Sequence, residues 1–222
     1  LVGVASYADD PNDIADATEV VFSYLSPESA NIYIYGDEDV AATMAVDTGA
    51  DVGNIYIGAA TTTADLNVVD ITANDFETIN LTSTALSPTQ GHTLDNFGGS
   101  DLTTLNILGN GITITAWNAS TKLTTIDATG AYKLTMSAAN PAGALYPDTI
   151  KGSGTADTLR GGTAASTIEG NGGADTIYGG AGGDTIKGGA GADILYGDAG
   201  SDTVHGDDGA DYIYAGSTTS HF

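Results

Sequence analysis

GGAGGDTIKGGAGADILYG, residues 179–197, states one nine-residue phrase twice and begins it a third time. Each copy offers glycines, one aspartate and one aliphatic held between small or polar neighbours. Followed outward, the phrase runs from Gly152 to Tyr214 without insertion as GSGTADTLR, GGTAASTIE, GNGGADTIY, GGAGGDTIK, GGAGADILY, GDAGSDTVH and GDDGADYIY. Position eight is always aliphatic: Leu159, Ile168, Ile177, Ile186, Leu195, Val204 and Ile213. Position six is Asp157, Asp175, Asp184, Asp193, Asp202 and Asp211, with Ser166 the exception. A short fixed period of this kind is the mark of stacked repeats.

The chemistry follows from the spacing. In a three-residue strand the middle side chain points opposite to its neighbours, so position eight faces inward. Glycines let the intervening turn adopt positive φ and bring backbone carbonyls towards one point. Gly172, Gly180, Gly182, Gly189, Gly191, Gly200 and Gly209 are the candidate carbonyl donors, and the position-six aspartates add hard anionic oxygen. Such an oxygen set suits Ca²⁺. Thiolate is excluded because the chain has no cysteine, and the repeat turns contain no histidine that would favour zinc. One aliphatic in nine is little burial to set against the ordering of a glycine-rich chain. Residues 152–214 also carry ten acids and two bases. Cation uptake is therefore expected to be part of folding. The competing reading, a disordered acidic linker, sits poorly with seven units in register.

These units resemble the GGxGxDxUx nonapeptides of RTX (hemolysin-type) proteins. The resemblance implies a parallel β-roll with two nonapeptides per coil and ions lying between turns 18 residues apart. It would pair Asp157 with Asp175, Asp175 with Asp193 and Asp193 with Asp211 on one side. On the other it would pair Ser166 with Asp184 and Asp184 with Asp202. About five or more Ca²⁺ ions are implied, and adjacent copies would not share one.

Upstream, NIYIYGD (31–37), GNIYIGA (53–59), ADLNVVDIT (64–72) and FETINLTST (76–84) alternate as strands do. LTTLNILG (102–109) recurs as LTTIDATG (123–130), 21 residues on, each followed by a second strand-like run, GITITAW and KLTMSAA. FETINLTS shares Thr78 and Asn80 with Thr104 and Asn106 and reads as a third copy. Residues 1–150 are thus expected to form a β-solenoid or, alternatively, a β-sandwich, followed by the roll at 151–214 and a tail at 215–222. The segment 10–27 could cap a helix at Asp10-Pro11, but EVVFSYL alternates and favours a strand. The acidic stretches 8–16, 35–40 and 47–51 are further calcium candidates, with solvated turns the commoner reading.

Paired with an RTX tail, LTTLN and LTTID look like the C-terminal region of bacterial S-layer proteins exported by type I secretion. That resemblance implies self-association into a calcium-dependent lattice on the cell surface, with cell-surface polysaccharide as a further candidate partner. The alternatives are a repeat region of a secreted adhesin and the non-catalytic tail of a secreted protease or lipase. The chain opens on Leu1 and stops at STTSHF, and reads as a piece of something longer.

Composition narrows the classes further. A formal charge of −24 argues against nucleic acid and anionic membrane surfaces as partners. No apolar run is long enough to span a bilayer. His92, His205 and His221 show no metal or catalytic spacing, and there is no GxSxG elbow or cysteine nucleophile, so no enzyme is expected. Position seven (Thr158, Thr167, Thr176, Thr185 and Thr203) would form an outward threonine ladder interrupted by Ile194 and Tyr212, which weakens an ice-binding reading.

Overall fold

A short strand that alternates inward and outward side chains buries only half of them, so it must stack on other strands to close a core. The computed structural model describes residues 3–6, 18–23, 30–35, 40–45, 52–58, 67–74, 76–84, 91–117, 122–137 and 148–216, and in it the chain does this by coiling. The strands are β1 (Gly3–Ser6), β2 (Thr18–Ser23), β3 (Ala30–Tyr35), β4 (Val40–Ala45), β5 (Val52–Gly58), β6 (Asn67–Ala73) and β7 (Thr78–Thr84). Next come β8 (Gly91–Gly98), β9 (Thr104–Gly109), β10 (Gly111–Ile114), β11 (Thr125–Ala131), β12 (Leu134–Met136), β13 (Thr149–Lys151) and β14 (Thr158–Arg160). The last are β15 (Thr167–Gly172), β16 (Thr176–Tyr178), β17 (Thr185–Ala190), β18 (Ile194–Tyr196), β19 (Thr203–Asp208) and β20 (Tyr212–Tyr214). Odd-numbered strands form one ten-stranded sheet and even-numbered strands another, each in chain order.

All pairings are parallel, from β1 with β3 to β18 with β20. This is a parallel β-solenoid, and the sandwich alternative for the upstream region falls, because sandwiches are built from antiparallel pairs. EVVFSYL contributes β2, a strand, to the even sheet. The acidic residues of 8–16, 35–40 and 47–51 lie outside the described residues.

The coil step is not uniform. Asn106 bonds to Asn80 across 26 residues, Thr124 to Thr103 across 21, and Asp157 to Asp175 across 18. The 21-residue period expected upstream therefore holds for one step only. Turn length absorbs most of the difference, and between β9 and β11 the register shifts by one residue between Asp127 and Gly130.

Inside, Ile79, Leu105, Ile126, Ile150, Ile168, Ile186 and Val204 align in one column of the odd sheet. Each is at most 2% exposed. The column crosses from the upstream coils into the nonapeptides at β13, without a break. Position eight faces the core in six of the seven units, whereas Ile213 on the last strand is 37% exposed.

Outside, the threonines separate into two columns, because successive nonapeptides sit on opposite sheets. Thr78, Thr104, Thr125, Thr149, Thr167, Thr185 and Thr203 run uninterrupted along the odd sheet. On the even sheet Thr93, Thr113, Thr135, Thr158 and Thr176 give way to Ile194 and Tyr212. The interruption expected of a single ladder therefore belongs to one face alone. His205 is exposed.

Beside the odd-sheet threonines runs an amide ladder. Asn80 Nδ2 donates to Asn54 Oδ1, and Asn106 Nδ2 to Asn80 Oδ1, each at 2.8 Å. It stops at Asp127, which pairs with Asn106 in register but has no side-chain proton to donate. Asp127 Oδ1 instead accepts from Thr129 N–H at 3.0 Å and Thr129 Oγ1–H at 2.6 Å. Asp127→Asn keeps those acceptors and extends the ladder by one bond. It should stabilise the upstream coils by about 0.5–1.5 kcal/mol, read as a higher denaturation midpoint. Asn80→Ala, which removes two ladder bonds, should lower it.

Candidate metal centre

With two nonapeptides per coil, position six stacks on itself every 18 residues. Asp157, Asp175, Asp193 and Asp211 line up beside the even sheet, and Ser166, Asp184 and Asp202 beside the odd one. All but Asp211 are nearly inaccessible: Asp157 is 2% exposed, Asp175 and Asp184 1%, and Asp193 and Asp202 0%. This is an unusual place for carboxylates, which are almost never fully buried without partners.

One oxygen of each is satisfied. Asp175 Oδ1 accepts the backbone N–H of Asp157 at 2.7 Å, Asp193 Oδ1 that of Asp175 at 2.8 Å, and Asp211 Oδ1 that of Asp193 at 3.0 Å. On the other side Asp184 Oδ1 accepts from Ser166 N–H at 2.7 Å, and Asp202 Oδ1 from Asp184 N–H at 3.0 Å. The second oxygen is different: Oδ2 of Asp175, Asp184, Asp193 and Asp202 is buried with no hydrogen-bond partner. A buried anionic oxygen without a donor is costly, and a cation removes that cost.

At the α-carbon of position one, Oδ2 and a position-one carbonyl of the next coil both approach. A Cβ built on Gly179 would lie 2.7 Å from both Asp184 Oδ2 and the Gly197 carbonyl. One on Gly197 would lie 2.8 Å from Asp202 Oδ2 and 3.1 Å from the Ala215 carbonyl. Gly170 stands in the same relation to Asp175 Oδ2 and the Gly188 carbonyl, and Gly188 to Asp193 Oδ2 and the Gly206 carbonyl. Position one is thus glycine because the carboxylate and the next coil's carbonyl crowd its α-carbon, at ordinary φ.

The position-one carbonyls stand beside the expected donors as further candidates. Of the glycines expected to donate, Gly180 already accepts the Ala199 N–H at 2.8 Å. The carbonyls of Gly182 and Gly191 face the α-carbons of Gly200 and Gly209 one coil on. Gly172 and Gly189 lie within β15 and β17. Gly182, Gly191, Gly200 and Gly209 hold φ of 120°, 148°, 145° and 151°, so they shape the turn. The position-one carbonyls escaped sequence reasoning because their direction depends on turn dihedrals. The uniform glycine at position one, at ordinary φ, was the available signal.

Among the described residues, no three acidic or imidazole side chains gather at one point. An ion here needs backbone carbonyls to complete its shell, and carboxylate plus carbonyl is the donor set Ca²⁺ accepts. The residues fit the ion.

Electrostatics agree. Burial, with the neighbouring carboxylates of the stack adding to it, pushes Asp175 up to about 7 and Asp184 up to about 6. Burial also raises Asp157 and Asp193. Each of these groups binds protons more tightly when folded than when unfolded. Their contribution therefore favours the metal-free fold at low pH and is lost as pH rises through the folded values. In chelator, the β-sheet circular dichroism of the roll should grow on acidification from about pH 8 to about pH 5. Asp175→Asn should flatten that response; a signal indifferent to pH in both proteins would contradict the account.

A steric test is independent of pH. Gly179→Ala should weaken calcium-induced folding by about 1–3 kcal/mol through overpacking. Gly154→Ala, where a Cβ meets nothing within 4 Å, should leave the calcium midpoint unchanged.

Comparison with known families places the same segment. Residues 151–186 and 187–218 match the RTX calcium-binding nonapeptide repeat (4 copies). No curated protein and no solved structure matches the chain. RTX repeats are typical of secreted bacterial proteins. Residues 151–218 are a run of hemolysin-type RTX calcium-binding repeats, carried on the end of a parallel β-solenoid.

Proposed function

We propose that this chain is a structural segment of a bacterial surface layer, exported in a calcium-poor, unfolded form and folded and assembled by calcium outside the cell. The position-six aspartates with an open buried oxygen, Asp175, Asp184, Asp193 and Asp202, are its ion ligands, with position-one carbonyls completing the shells. The observation that carries the reading is the set of four buried carboxylate oxygens without donors in a chain of charge −24. Such a chain resists folding until cations enter, which suits a protein that must cross an envelope before it sets.

Self-association is supported by the outer face of the even sheet. A chain this acidic repels its own copies wherever carboxylates face outward. The outward residues of β14, β16, β18 and β20 are Thr158, Arg160, Thr176, Tyr178, Ile194, Tyr196, Tyr212 and Tyr214, with no acid among them. Arg160 lies 3.8 Å over the Tyr178 ring, Tyr178 stacks on Tyr196 at 4.8 Å, and Tyr196 on Tyr214 at 4.7 Å. The inner ring faces are thereby covered, and edges, hydroxyls and aliphatic carbon remain. That surface suits a flat protein sheet from a second copy better than a sugar, which would need open ring faces.

Sedimentation and electron microscopy, with and without calcium, test the proposal. The expected result is dispersed chain in chelator and ordered association in calcium. Replacing Ile194, Tyr196 and Tyr212 together by Thr should leave calcium-induced circular dichroism intact and reduce association at least several-fold. A folded wild-type chain that stays monomeric at high calcium and high concentration would rule out the array reading.

A further inference from the structure

The first coil of the roll is built differently from the rest. In the third to seventh units, position four is a glycine at positive φ, from Gly173 at 109° to Gly209 at 151°. Position two is left-handed there too: Asn171 at 72°, Gly180 at 96°, Gly189 at 106°, and Asp198 and Asp207 at 63°. In the first two units neither position is left-handed: Ser153, Thr155, Gly162 and Ala164 all keep ordinary φ.

The carboxylates follow the backbone. Asp157 is the one buried position-six aspartate whose two oxygens are both satisfied by protein. Its Oδ1 accepts the Leu134 N–H at 2.6 Å and lies 3.0 Å from Ser153 Oγ, and its Oδ2 accepts the Ser153 N–H at 2.5 Å. Ser153 Oγ also reaches the Tyr132 carbonyl at 2.9 Å, and Thr155 Oγ1 donates to the same carbonyl. On the opposite side, position six of this coil is Ser166, which carries no charge and gives its N–H to Asp184. Neither side of the first coil leaves a buried oxygen without a donor.

Leu134 identifies what Asp157 is joined to. His92, Ile112 and Leu134 form one buried column of the even sheet, and the Thr135–Thr158 pairing sets Asp157 next in that column. The aliphatic interior of the upstream solenoid therefore passes into the carboxylate stack at this residue.

We propose that the first coil closes without an ion. Asp157, with Ser153 in the place a cation takes elsewhere, is a structural staple to β12 and not a calcium ligand. The upstream solenoid thus carries a preformed template, and calcium loads the coils beginning at Asp175 and Asp184. This rests on the calcium-folding reading above and assigns its starting point.

Hydrogen exchange and ion counting on the full chain test it. In chelator, the amides of β13, β14 and β15 should be protected like those of β9 to β12, while those of β17 to β20 exchange freely. Calcium should then extend protection to the last strands. Asp157→Asn should bind as many calcium ions at saturation as wild type, with its folding midpoint moved to higher calcium. Ser153→Ala should do the same, and Asp193→Asn should lose at least one ion. Protection of β14 that appears only with calcium, or loss of an ion in Asp157→Asn, would overturn the staple while leaving calcium folding intact. A wild-type chain that neither binds calcium nor gains β structure from it would instead remove the reading on which the staple rests.

Discussion

The structure turns on carboxylates that stack every coil with one oxygen engaged and the other enclosed. From Asp175 onward each Asp Oδ1 takes the N–H of the residue 18 before it, which fixes the coil at two nonapeptides. The same bond draws the carboxylate inward and leaves Oδ2 against the α-carbon of its own unit's first residue. Glycine at position one, short strands and a core one residue deep are consequences of that geometry. So is the demand for a cation, since like charges this close raise one another's proton affinity.

Upstream, the same fold is held by other means. The coils at 26- and 21-residue steps bury more apolar side chains per turn, among them Phe76, Phe97, Ile107 and Ile112. Phe97 meets Trp117 edge to face at 6.2 Å, and the Asn54–Asn80–Asn106 ladder satisfies polar groups along the flank. Longer coils can bury enough apolar surface to stand on hydrophobic packing. Shorter ones cannot, and they substitute electrostatics that an external ion completes. One molecule thereby joins a segment with its own core to one whose order is conditional on its surroundings.

That division suits the proposed passage from a pliant form to a rigid one. The acidic stack is the conditional part, and the acid-free, aromatic even face of the roll exists as a flat surface only once the stack is ordered. The proposed association is tied to folding through geometry, because Tyr178, Tyr196 and Tyr214 stack only when successive coils are in register.

Much of this was legible in the sequence. A period of nine with Asp at position six and an aliphatic at position eight determined the inward column and the kind of cation, and the resemblance to RTX nonapeptides implied the side of each carboxylate. Alternation determined the strands at 31–37, 53–59, 76–84 and 102–117, and the shared Thr78 and Asn80 marked residues that stack on Thr104 and Asn106. Such features are local, carried by which way successive side chains point. The tertiary structure decided what depends on turn dihedrals and on neighbours a full coil away. It set the unequal coil steps, the division of the threonines between two faces and the choice of position-one carbonyls to face Oδ2. It also decided that Asp157, at the same repeat position as the other aspartates, is satisfied by Leu134 and Ser153. A carboxylate's role is settled by the donors that reach it, and here those donors come from a different coil.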